Sequence, residues 1–66
     1  MRDIKDIKQA HNQQADMLAR SYQESANTQR RLASHCATAS EREKHLRKAR
    51  RLERKVAEAL GTRVRV

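Results

Sequence analysis

Three histidines and one cysteine are the residues of this chain best suited to metal or nucleophilic chemistry, and His35 and Cys36 are adjacent. His45 follows nine residues after the cysteine, and His11 lies far upstream. A structural zinc site draws on four ligands grouped in close pairs such as C-x-x-C or H-x-x-x-H, and no such pair occurs. A cysteine–histidine nucleophile needs an activating geometry inside a pocket. A chain of 66 residues with few large apolar side chains has little core from which to enclose one. These residues predict no catalytic site, no metal and no cofactor. Cys36 reads as a small apolar residue at the end of a helical seam, and a lone cysteine without an intrachain partner fits a cytoplasmic chain.

The second stretch with chemical potential is EKHLRKARRLERK, residues 43–55, with seven lysines and arginines in thirteen residues. On a helix drawn at 100° per residue, Leu46, Leu52, Val56 and Leu60 fall within about 60° of Ala49. The seven cations all fall at or beyond about 100°, so charge and apolar surface are segregated. Glu43 can pair with Arg47, and Glu58 with Arg54 or Lys55, at helical spacing. The remaining cations have no local counter-charge. The net charge of +8 is uneven: residues 1–37 contribute +2, residues 38–60 contribute +4 and the tail GTRVRV adds +2. Such a face suits a solvated surface, an acidic patch on a partner protein or a phosphate backbone. No Asn/Gln/Arg set precedes a recognition-helix turn, and one tyrosine offers no stacking platform for single strands. A membrane-surface helix usually carries Trp, Phe or a denser leucine face opposite its charges, so a membrane partner is the least favoured reading. The four arginines Arg47, Arg50, Arg51 and Arg54 are therefore expected to steer an acidic protein partner, with nucleic acid as the alternative.

Two helices must hold these groups. Proline is absent, the one glycine is Gly61, and helix-forming residues dominate. Small and apolar residues recur at steps of three and four through Ile4, Ile7, His11, Ala15, Leu18, Tyr22, Ala26, Gln29, Ala33 and Cys36, tracing one face of a first helix over about 3–35. Thr38 with Glu41, and Ser40 with Glu43, form overlapping capping boxes that predict a second helix over about 40–60. Gly61 suits its stop, and 61–66 is expected as a flexible basic tail. The short link makes the helices antiparallel neighbours.

The lengths differ by roughly 18 Å at 1.5 Å per residue, which sets Leu60 opposite about Asp16. Ile4, Ile7 and His11 then overhang with nothing in the same chain to cover them. The expected architecture is an all-α hairpin that dimerises into a four-helix or coiled-coil-like bundle. Ile4, Ile7, Leu18, Tyr22, Leu32, Leu46, Leu52, Val56 and Leu60 would hold its core and its dimer contact. Tyr22, the only aromatic, is the best single candidate for an interface anchor. The seam of the first helix is also polar, with His11, Gln14, Ser21, Ser25, Thr28 and Gln29; it reads either as register-setting close packing or as a groove that another helix completes.

The outline of residues 3–60, with HNQQADMLARSYQ in the first helix and KHLRKARRLERK in the second, resembles small dimeric helical-hairpin proteins of phages and plasmids. One such group is the Rop-type RNA-binding four-helix bundle, whose regular leucine and alanine layers the polar seam departs from. Another is the class of short phage early proteins, including an anti-quorum-sensing anti-activator, that bind host regulators or motor proteins. The first likeness implies RNA binding through paired helix faces, the second implies sequestering a host protein. Neither carries a functional residue onto this chain. The N-terminus MRDIKDIKQA lacks the apolar core of a signal peptide, so a cytoplasmic, non-enzymatic regulator is expected.

Overall fold

The structure is a computed structural model and describes residues 3–65. Helix α1 spans Ile4–His35 and helix α2 spans Ala39–Gly61. Among the described residues there is no strand, and the two helices form an antiparallel hairpin of 57 × 14 × 12 Å.

The caps explain where the helices start and turn. Asp3 stands at the N-cap of α1 in extended conformation, and its carbonyl accepts from the Asp6 and Ile7 amides at 3.0 and 3.3 Å. At the turn, Cys36 leaves the helix with an extended backbone, and its thiol donates to the Leu32 carbonyl at 3.1 Å. Of the two overlapping capping boxes, the chain uses the first: Thr38 is the N-cap of α2, and its hydroxyl accepts from the Glu41 amide at 3.2 Å. Ser40 lies inside the helix. Gly61 is the last helical residue and does not adopt positive φ. The stop is made by Thr62 instead, whose hydroxyl donates to the Ala59 carbonyl at 2.7 Å.

The helices meet along a regular seam. On α1 the positions turned toward α2 are Asn12, Ala15, Ala19, Ala26 and Ala33, all buried, with half-buried Tyr22, Gln29 and Cys36 between them. These eight positions alternate steps of three and four, a heptad pattern. On α2 the matching positions are His45, Ala49, Leu52, Val56 and Ala59, of which Ala49 is buried and the others half-buried. Alanine at half of the α1 seam positions removes bulk between the two backbones, and helix separation is set by the side chains at the contact.

The residues expected for the core and the dimer contact take different places in the single hairpin. Within the hairpin, Ile4 is 68% exposed, Ile7 57%, Leu18 48%, Leu32 44% and Leu60 45%, so none of these five is buried between α1 and α2. Tyr22, Leu46, Leu52 and Val56 are half-buried. The cause is geometric. A face that includes Ile4, Ile7, His11 and Leu18 lies about a quarter turn from the alanine seam, and the chain closes on its small residues.

The overhang is also shorter than expected. Asn12 clasps the chain beyond α2: its side-chain amide donates to the Val64 carbonyl at 2.7 Å, and its Oδ1 accepts from the Val64 amide at 2.8 Å. His11 Nε2 lies 2.6 Å from the Thr62 carbonyl, and Arg63 pairs with Asp16 at 3.5 Å. Residues 62–65 thus run alongside α1 past the end of α2, and His11 meets them while staying exposed. Ile4 and Ile7 remain beyond the clasp. Val66, one of the valines of the tail, lies outside the described residues.

Candidate functional site

Arg47, Arg50, Arg51 and Arg54 follow the i, i+3, i+4, i+7 spacing that makes a helical stripe. Because Ala49 is buried against α1, this stripe points away from the hairpin. Together the four side chains line one open cleft of about 240 Å³. The arginines named from the wheel are thereby brought into a single place.

The electrostatics of the cleft follow from what surrounds it. Arg47 Nε lies 3.5 Å from Glu43 Oε1, an exposed pair one helical turn apart. Among the described residues no carboxylate pairs with Arg50, Arg51 or Arg54. Glu53 and Glu58, the acidic residues of this part of α2, are turned elsewhere. Glu53 accepts from Arg30 of α1, tying the two helices on one flank. Glu58 borders the opposite flank beside Leu18, Tyr22 and Lys55. Folding therefore turns Glu53 away from the cleft and leaves Arg50, Arg51 and Arg54 without a paired carboxylate among the described residues. Arginine suits this place because its planar fork matches carboxylate or phosphate geometry in two parallel bonds.

Tyr22 is less available than an anchor on an open surface would be. Its ring is half-buried, and Lys55 Nζ sits 5.9 Å from its centroid, a cation–π contact that also ties Lys55 to the flank. The remaining candidates stay apart. His45 Nδ1 is 2.8 Å from Gln29 Oε1 across the hairpin, His11 is at the clasp, and His35 closes the last turn of α1. Among the described residues no three His, Cys, Asp or Glu side chains are grouped to hold a metal ion. No helix among them is long and apolar enough to cross a membrane.

Two features escaped the sequence reading. One is the Asn12 clasp, whose signal was a polar residue in phase with Ala15, Ala19, Ala26 and Ala33. The other is the withdrawal of Glu53 by Arg30, which links residues 23 apart and has no local signature. Compared with known proteins, the chain matches no family model, no curated protein and no solved structure.

Proposed function

We propose that this chain is a non-enzymatic, cytoplasmic regulatory protein that binds another protein through the arginine cleft of α2 and modulates it, acting as a homodimer. The observation that carries this reading is the convergence of Arg47, Arg50, Arg51 and Arg54 in one outward cleft where, among the described residues, only Arg47 has a paired carboxylate. Four cations on a rigid helix steer an acidic partner at a distance and then hold its carboxylates by paired hydrogen bonds. The open form of the cleft suits a protuberance of a partner better than an enclosed substrate. The resemblance to small phage and plasmid hairpins favours inhibition of a host regulator as the outcome.

The dimer is supported by the exposure of Ile4, Ile7, Leu18 and Leu32 along one helix, since four large apolar side chains on so small a surface call for cover. The four-helix or coiled-coil-like bundle is the form this cover takes.

The second reading, binding of RNA or DNA, draws on the same guanidinium groups, because phosphates suit them as well as carboxylates do. Against it stand the lack of base-reading residues around the cleft and the engagement of the only aromatic side chain with Lys55. A salt titration separates the two readings. Retention on duplex DNA or structured RNA with a log–log salt slope of several units would favour nucleic acid. The proposed function predicts no retention on either at about 0.1 M salt, where the screening length is about 10 Å.

A further inference from the structure

A second heptad seam runs along α1, one residue behind the alanine seam and about a quarter turn from it. It passes from Ile4 to Leu32 through Ile7, His11, Gln14, Leu18, Ser21, Ser25 and Thr28, at steps of three and four. Every one of its positions is exposed, and none is Asp, Glu, Lys or Arg, although 36% of the chain is charged. Ile4, Leu18 and Leu32 lie two heptads apart from one another. An antiparallel copy with its axis at Leu18 would set Leu18 on Leu18 and Ile4 on Leu32, and would oppose His11 to Ser25. Ile4, Leu18 and Leu32 are thus symmetric about Leu18, as a twofold contact between identical surfaces requires, while Ile7 falls level with Gln29 of the other copy.

We infer that this seam is the contact surface for a second copy of the chain, and that the two α1 helices pack antiparallel about Leu18. The inference rests on the homodimer proposed above and specifies its geometry. The unequal helix lengths support the antiparallel register. The clasp of residues 62–65 reaches α1 only as far as His11 and Asn12, which leaves Ile4 and Ile7 beyond it. About the proposed axis, this overhang falls level with residues 29–32 of the other copy, beside the turn where Gln29 meets His45. Each bare end is then covered by the other chain.

Charge favours the same register. The flank of α2 next to this seam carries Lys44, Lys48, Arg51 and Lys55 at helical spacing. A parallel dimer would bring these cations of both copies side by side along their whole length, where like charges repel. Leu18 shares a cavity with Glu58 and Ala59, so an axis at Leu18 makes the two α2 helices level only over their last turns. Lys44 and Lys48 then lie level with the start of the other α1, where Asp3 and Asp6 alternate with Lys5 and Lys8, instead of facing the cations of the other α2. Both arginine clefts, on the outer side of α2, stay open.

Site-specific cross-linking tests this in a Cys36→Ser background. Mild oxidation of Leu18→Cys should give a disulfide-linked dimer as the main product. A mixture of Ile4→Cys and Leu32→Cys chains should link to each other in preference to themselves. Met17→Cys, which is 73% exposed on another side of α1, serves as the control and should stay unlinked. Preferential linking of Ile4→Cys to itself would overturn the antiparallel register, and equal linking at Met17 and Leu18 would overturn the surface. Sedimentation equilibrium of the unaltered chain needs no variant, and a monomer at every concentration would overturn the inference outright. None of these outcomes touches the arginine cleft, whose ligand is tested separately by arginine substitution.

Discussion

Asn12 shows how one polar side chain can decide where a small protein ends. Its carboxamide satisfies both the amide and the carbonyl of Val64, so the peptide group that follows α2 is held as a strand neighbour would hold it. Replacing it with alanine removes two hydrogen bonds and leaves both backbone groups to water, a loss of about 1–3 kcal/mol. Asn12→Ala is expected to lower the unfolding free energy obtained from urea titration by that amount and to speed amide exchange at Val64. In a chain ending at Gly61 the same substitution should have little effect, and an equal loss in both chains would show that Asn12 acts elsewhere. Polarity was the reason this residue went unread: at a seam position it looks like a fault in the apolar pattern until its partner, 52 residues away, is seen.

At the scale of the helices, stability rests on small residues. Ala26 is fully buried where α1 faces α2, so Ala26→Leu inserts bulk between two close backbones and should cost about 1–3 kcal/mol. Thr38→Ala, which removes the hydroxyl that receives the Glu41 amide, should cost about 1 kcal/mol. Thermal unfolding followed by circular dichroism measures both, and Ala26→Leu with an unchanged midpoint would contradict the account of the seam. The helices and the turn were legible in the sequence because caps and periodicity are local signals: α1 starts one residue later than expected, α2 starts at Ala39 and ends at Gly61. The inward face was legible only in part. Ala15, Tyr22, Ala26, Gln29, Ala33 and Cys36 belong to it, but Leu18 was taken where Ala19 is buried. Hydrophobicity ranks leucine above alanine, whereas close approach of two helices ranks them the other way.

The whole molecule is a rod with its functions divided by side. One side of α1 closes the hairpin, a second side is exposed and free of Asp, Glu, Lys and Arg, and the outer side of α2 carries the arginine cleft. The segregation of Arg47, Arg50, Arg51 and Arg54 was legible from the wheel, because charge on a helix follows the same geometry as apolar surface. Their freedom from counter-charge was not, since it depends on Arg30 drawing Glu53 aside across the hairpin. Arg30→Ala should release Glu53 toward solvent and weaken binding of an acidic ligand at low salt, an effect that fades as salt rises because it acts through screened charge. Ligand titrations at two salt concentrations check this, and a loss that is the same at both would contradict it.

The most direct test of the central claim is affinity capture from an extract of the cell that makes the protein, with and without nuclease. The unaltered chain is run beside one in which Arg47, Arg50, Arg51 and Arg54 are changed to glutamate and helical folding is confirmed by circular dichroism. The account predicts that a specific protein is retained by the unaltered chain after nuclease treatment and lost from the substituted one. Equal retention by both chains, or retention that disappears with nuclease, would contradict it.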